Sequence, residues 1–97
     1  MKERIETIVA NNRVLEKEDL WLIEHILRFI EFRLAIAEKN EKKQEAIFNE
    51  INRGKEEGYR LGFAEEEIRG ANRVVLEEEK EANFGTFIKK LKERSKK

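Results

Sequence analysis

LWLIEHILRFIEFRLAIA, Leu20 to Ala37, is the most apolar stretch of the chain, and the architecture turns on what covers it. Thirteen of its eighteen residues are apolar. Leu20, Ile23, Leu27, Ile30, Leu34 and Ala37 alternate three and four residues apart, which is the seam of an amphipathic helix. Trp21, Leu22, Ile26, Phe29, Phe32 and Ile36 lie off that seam and carry apolar surface round most of the circumference. A helix that is apolar nearly all round is normally buried on several sides. A bilayer is not the expected cover. Glu24, Arg28, Glu31 and Arg33 interrupt the stretch, together with His25, and each charge near a bilayer centre costs about 2.5–3.5 kcal/mol.

The seam continues through Glu41 and Gln44 to Phe48 and Ile51, with a polar interruption in its middle. Glu24, Glu31, Glu38 and Glu45 recur every seven residues beside it, and Glu24–Arg28 and Glu38–Lys42 are favourable i, i+4 pairs. The pattern predicts one helix from about Lys17 to Asn52, with Gly54 just past its end in the left-handed cap position.

Beyond it stands GKEEGYRLGF, with Gly54, Gly58 and Gly62 four residues apart. Two glycines inside a helix cost roughly 1 kcal/mol each relative to alanine. A helix here would therefore be one stripped along a line so that another backbone can lie close; the alternative is a turn at Gly54 and Gly58. Glu56 and Arg60 form an i, i+4 pair, Tyr59 stands one turn before Phe63, and the turn formers Asn, Asp, Ser and Pro are absent, so helix is preferred. The string GxxxGY…GF resembles the glycine-repeat helices of flagellar and type III export ATPase regulators, in which the residue after each glycine is often aromatic. Those helices belong to elongated dimeric proteins. The resemblance covers about ten of the 97 residues, and no other segment shares it, so no family membership is drawn from it. Either reading places a reversal at Gly54 and a second long helix over about 56–82, running back along the first.

The chain's ends are simpler. Ile5, Ile8 and Val9 suit a short helix over about 2–10; a small hairpin turning at Asn11-Asn12 is the alternative, disfavoured because no third strand is available. A last helix is expected over about 86–95. The amino terminus has no uninterrupted apolar run and does not resemble a secretory signal. A cytoplasmic, soluble protein is expected.

Composition limits the core. The 97 residues are 39% hydrophobic and 43% charged, against usual values near 45–50% and 25%. One small domain with a thin core follows. The segments EKNEKKQE (Glu38–Glu45) and EEEKE (Glu77–Glu81) offer nothing apolar with which to wrap Leu20–Ala37. The expected cover is therefore a second copy of the chain; the alternative is one compact subunit that wraps the segment with Ile5, Ile8, Val9, Val14, Leu15, Phe84, Phe87, Ile88 and Leu91. The fold class expected is all-α: a long antiparallel helical hairpin with short flanking helices, forming a helical-bundle-type dimer through Leu20–Ala37.

Catalytic chemistry is sparse. There is no cysteine, one histidine (His25) and one aspartate (Asp19), six residues apart and thus about 240° round a helix axis. The serine, Ser95, lies in the lysine-rich tail, so a Ser-His-Asp arrangement is not expected. The Glu-x-x-His spacing of carboxylate-bridged metal sites is missing, because Leu22 stands three before His25. Phosphate-loop and dinucleotide spacings are missing too. Catalytic residues, metal and cofactor are all expected to be none.

Twenty-one basic residues balance twenty-one acidic ones, but unevenly. Glu65–Glu81 has seven Glu against three basic residues, and the tail 89–97 has six basic residues against Glu93. Lys89, Lys90, Lys92, Arg94, Lys96 and Lys97 are the candidates for phosphate contact if the partner is nucleic acid. The favoured reading is a non-catalytic protein-binding module, an adaptor, assembly factor or inhibitor, that uses Trp21, Leu22, Ile26, Phe29, Phe32 and Ile36 against itself and an unidentified protein partner. The nucleic-acid accessory protein is the alternative.

Overall fold

A reversal at Lys39-Asn40, in the middle of the expected long helix, organises the structure. The computed structural model describes residues 1–96. Five helices follow one another: α1 (Lys2–Val9), α2 (Lys17–Ala37), α3 (Glu41–Arg60), α4 (Glu65–Glu79) and α5 (Phe84–Ser95), with no strand among the described residues. The amino terminus is thus helix rather than hairpin.

The helix expected over 17–52 is two helices. Lys39 takes φ 57°, the Asn40 amide donates to the Ala35 carbonyl at 3.0 Å and the Lys39 amide to that of Ile36 at 3.0 Å. This is a Schellman ending, with a lysine where glycine is usual. Asn40 then caps α3, its side chain accepting from the Lys43 amide at 3.1 Å. Gln44 reaches back across the turn and donates to the Ala35 carbonyl at 3.2 Å. The polar gap in the heptad seam, Glu41 and Gln44, is this corner. Size agrees: a helix over 17–52 would be about 54 Å long at 1.5 Å per residue, whereas the largest extent of the protein is 37 Å.

Conversely, the reversal expected at Gly54 is absent, and the helix expected over about 56–82 does not form as one piece. α3 runs through Gly54 and Gly58 and ends at a second Schellman corner. There the Phe63 amide donates to the Gly58 carbonyl and the Gly62 amide to that of Tyr59, both at 3.0 Å. Gly62 holds φ 101°, a conformation that a side chain would strain. α4 opens on Ala64, whose amide is accepted by the Glu67 carboxylate at 2.9 Å.

Contacts between α2 and α3 run in reverse order along the two helices. The Phe32 ring lies 6.0 Å from that of Phe48, Arg28 lies 4.0 Å from Glu50, and Trp21 reaches Gly54. α4 runs the same way as α2, tied by His25 to Asn72 and by Arg33 to Glu79. α5 also packs on α2, and α1 lies against α4 and α5. Ile5, Ile8, Leu22, Ile23, Ile26, Ile68, Val75 and Leu91 meet there, each below 2% exposed. A second cluster, Ala35, Ile47 and Ile51 with Phe32 against it, fills the α2–α3 corner.

Two ties anchor the ends. The buried Asp19 carboxylate accepts from Arg4 Nε at 2.9 Å and from the Glu16 amide at 3.0 Å, with Arg13 Nη2 at 3.2 Å. Arg94 of α5 donates to the carbonyls of Ile8 and Arg13, at 3.0 and 2.6 Å.

Candidate functional site

The apolar stretch Leu20–Ala37 divides in two. Over its first half the chain does what its composition argued against and covers the helix itself. Trp21, Leu22 and Ile26 are 4%, 0% and 1% exposed, in a cluster drawn from α1, α4, α5 and the Phe63 corner. They are core residues of one chain, not surface. The burial has a physical reason: the four other helices are amphipathic and each contributes one apolar face, and the turns at Lys39 and Gly62 help to fold those faces onto α2. The cover comes from many small pieces, including Ile68, Ala71, Val74 and Val75 of the acidic α4.

Over its second half the cover is one-sided: Ile30 and Ala35 stay buried, but the rest of the circumference opens. Phe29 and Phe32 are half-buried, Ile36 is 41% exposed and Leu34 50% exposed. Phe29, Phe32 and Ile36 follow i, i+3, i+7 spacing and share one face of α2. Phe48 of α3, 51% exposed, meets Phe32 at a ring tilt of 37°. Phe32, Ile36 and Phe48 therefore make an open apolar surface beside the Lys39 corner. Sequence reasoning misses Phe48, which sits on the heptad seam and reads as core. The α2–α3 turn displaces that seam, so Ile47 and Ile51 point inwards and Phe48 points out.

The glycine line has a different meaning from the expected one. A Cβ on Gly58 would fall on the Trp21 indole, 2.7 Å from Cη2 and 2.8 Å from Cε2, and Trp21 Nε1 donates to the Gly54 carbonyl at 2.9 Å. The line is cleared for an indole of the same chain, not for a neighbouring backbone. Gly54 is less tight, with Arg28 Nη1 3.3 Å from an added Cβ. Gly62 has nothing within 4 Å and serves the corner instead.

Around that indole lies the most specific polar arrangement in the core. The His25 ring is parallel to Trp21 within 9°, centroids 5.2 Å apart, and Phe63 stacks on Trp21 at 4.9 Å. His25 is 2% exposed, and its Nε2 lies 2.9 Å from the Asn72 side-chain oxygen. That oxygen can only accept, so the bond assigns the proton to Nε2. Burial pushes the imidazole pKa below its ordinary 6.5, Lys55 and Arg28 add to the fall, and the Asn72 bond and Glu65 oppose it. By spacing alone His25 lies opposite the seam, and nothing in the sequence marks Asn72, forty-seven residues on, as its partner.

The catalytic residue types lie apart. Asp19 is occupied by Arg4 and Arg13, His25 by Asn72, and the Ser95 hydroxyl donates to the Lys92 carbonyl at 2.8 Å. No group of three metal-ligating side chains occurs among the described residues. No described helix is long and apolar enough to cross a membrane. At the surface Tyr59 donates to Glu65, which raises the phenol's pKa and lowers the carboxylate's.

Of the basic tail, Lys89, Lys90, Lys92 and Lys96 are exposed. Arg94 is turned inward as a structural tie and is withdrawn from any phosphate-binding set. Lys97 lies outside the described residues. Phe84 and Phe87 pair with each other, centroids 6.2 Å apart, and Phe87 is buried. Comparison of the chain with family models, with curated proteins and with solved structures finds no match.

Proposed function

We propose that the protein is a non-catalytic protein-binding module, expected in the cytoplasm, that acts by occupying a surface of another protein as an adaptor, assembly factor or inhibitor. The contact is the apolar surface of Phe32, Ile36 and Phe48, with Phe29 at its inner edge. One observation carries the reading: two large side chains, Ile36 and Phe48, stand 41% and 51% exposed beside a half-buried phenylalanine, at a corner built with its own capping bonds. Isolated exposed apolar residues are ordinary, but adjoining aromatic and branched ones mark contact surfaces. The proposed homodimer narrows to the same surface, because Trp21, Leu22 and Ile26 no longer supply area to it. Ile36 and Phe48 leave far less open area than the roughly 800 Å² per partner of a standard interface, so self-association is weak and concentration-dependent.

The test is a pair of surface changes, Ile36→Ser with Phe48→Ser. Sedimentation of the purified protein over a concentration series, and capture of partners from the source cell, are compared between wild type and the double variant. Loss of both with an unchanged far-ultraviolet spectrum is the expected result. Unchanged capture by the double variant discards this surface.

A second reading has one observation behind it. Lys89 and Lys92 stand one turn apart on the last helix, Lys96 follows its end, and none of the three enters an ion pair among the described residues. A nucleic-acid accessory role would place phosphates along them. It requires affinity that falls steeply with salt and is lost in Lys89→Ala with Lys92→Ala.

A further inference from the structure

His25 with Asn72, and Arg33 with Glu79, hold α2 and α4 side by side and fix their register. Four residues on from the first tie stand Phe29 on α2 and Leu76 on α4, so these two lie level between the ties. α3 flanks the same face of α2 from the other side, with Phe48 beside Phe32. α3 and α4 meet at the Gly62 corner, where Lys55 and Tyr59 both reach Glu65. Beyond that clasp each packs on α2 but scarcely on the other.

The facing sides of the two helices follow from their spacing. Phe48 precedes Lys55 and Tyr59 by seven and eleven residues, so it shares the face that they turn to α4. Leu76 shares a face with Glu65, eleven residues before it, while Val74 and Glu78 on the far flank look towards α1 and α5. The result is a cleft closed at the Lys55–Glu65 clasp and open at the end of α2. Phe29, Phe32 and Ile36 form its floor, Phe48 one wall and Leu76 the other. Leu76 is half-buried, yet it packs on neither core cluster.

The geometry points to a seat for one amphipathic helix of a partner protein, laid in this cleft with its apolar stripe on Phe29, Phe32, Ile36, Phe48 and Leu76. The seat rests on the binding reading above and specifies the partner's chemistry at that surface. Shape, area and charge select a helix. Three helices bound the cleft, and a fourth completes a bundle in which every apolar stripe is covered. The open apolar area suits one stripe of side chains and falls short of the roughly 800 Å² per partner that a globular face or a second copy uses.

The two rims also carry opposite charge. Glu41 and Glu45 stand seven and three residues before Phe48 on α3, both exposed and without an ion pair among the described residues. Arg73 and Lys80 stand three before and four after Leu76 on α4. Lys80 enters no ion pair among the described residues, and Arg73 reaches only the exposed Glu66, at 3.9 Å. A guest with basic residues along one flank of its stripe and acidic residues along the other answers both rims. A helix charged alike on both flanks meets one like-charged rim whichever way it lies.

The experiment uses the intact chain and three labelled synthetic peptides, each about five helical turns long and sharing one leucine stripe. One peptide carries lysines along one flank and glutamates along the other; the second carries lysines on both, the third glutamates on both. Binding is read by fluorescence anisotropy at low salt, and amide resonances of the chain map the site. The split peptide should bind about tenfold more tightly than either uniform one, the combined effect of a few exposed ion pairs. Resonances should shift in segments 29–36, 45–52 and 73–80. Ile36→Ser with Phe48→Ser should abolish binding, and Leu76→Ser should weaken it. Arg73→Glu with Lys80→Glu, at exposed positions, tests the rim without touching the apolar wall: both rims are then acidic, and the all-lysine peptide should become the tightest.

Equal affinity for the three peptides, no saturation of any by about 1 mM, or an unchanged order in the rim variant overturns the helix seat. So does a second copy that holds the cleft more tightly than the split peptide. Failure of every peptide, beside a partner that Ile36→Ser with Phe48→Ser still releases, removes the seat and leaves the binding surface standing. Split-peptide binding in the cleft, beside partner capture that the same double variant leaves unchanged, supports the seat and removes the reading that capture runs through this surface.

Discussion

Trp21 and Gly58 fit as plug and socket: the indole occupies the space where any Cβ on residue 58 would be, with Cη2 only 2.7 Å from that position. The indole cannot retreat, because His25 stacks on it, Phe63 packs on it and Nε1 is fixed to the Gly54 carbonyl.

Gly58→Ala is therefore expected to destabilise, against helix propensity. The alanine gains up to about 1 kcal/mol as a better helix former, but overpacking a rigid core costs about 1–3 kcal/mol and a contact this short lies at the upper end. A net loss of roughly 2 kcal/mol should lower Tm by about 10 °C for a chain of this size. Gly54→Ala in the same helix is the control. Its Cβ meets only the end of Arg28 at 3.3 Å, which can swing aside, so it should be neutral or gain up to about 1 kcal/mol. Thermal melts of the two variants check both, and equal shifts would refute the plug.

These glycines also mark the reach of the sequence. A helical period through Gly54 and Gly58, and the need for something to lie close, are legible from spacing and residue type. The neighbour is not: Trp21 is thirty-three residues from Gly54, and only the corner at Lys39-Asn40 brings it there. That corner is obscured because lysine is a poor left-handed residue and the heptad phase resumes after it, so a reversal reads as a polar interruption. All-helical character and the short first helix follow from composition and periodicity alone. Which half of Leu20–Ala37 stays open does not, since it depends on where four other helices end.

Lys39 supplies a second prediction. A non-glycine residue in the left-handed region costs about 1–2 kcal/mol, and glycine there loses roughly 0.5–1 kcal/mol through the freer unfolded chain. Lys39→Gly should therefore stabilise by about 0.5–1 kcal/mol, as Lys39 enters no ion pair among the described residues. Gly62→Ala, at φ 101°, should cost about 1 kcal/mol or more. Urea unfolding of each, with unchanged m-values, tests the pair; opposite signs are required.

Asp19 gives a third. Removing one partner of a buried pair costs about 3–5 kcal/mol when the remaining charge is enclosed, but here Arg4 and Arg13 remain 29% and 32% exposed and can rehydrate. Asp19→Ala should then cost roughly 2–3 kcal/mol, including the unpaired Glu16 amide. Arg4→Ala should cost less, because Arg13 still neutralises the buried carboxylate. In a double-mutant cycle the two changes should couple by more than about 0.5 kcal/mol; strict additivity would mean that the contact holds nothing.

Arg94 separates structure from charge in the last helix. In sequence it stands among Lys89, Lys90, Lys92, Lys96 and Lys97 as one basic tail, yet its guanidinium is spent on two carbonyls, that of Ile8 in the last turn of α1 and that of Arg13 in the segment before α2. Arg94→Ala leaves the Arg13 carbonyl without this donor, in a place only partly open to water, while the Ile8 carbonyl keeps the Asn11 amide at 3.1 Å; the loss is about 1–3 kcal/mol. Lys89→Ala and Lys92→Ala, on the exposed face, should each stay within about 0.5 kcal/mol of wild type. If polyanion binding is measured as well, the order reverses. The two lysine changes reduce the salt slope, by about one each if each contacts a phosphate, while Arg94→Ala lowers stability without changing that slope. A salt slope that falls with Arg94→Ala at a temperature where the variant is fully folded would return Arg94 to the binding face and contradict its role as a tie.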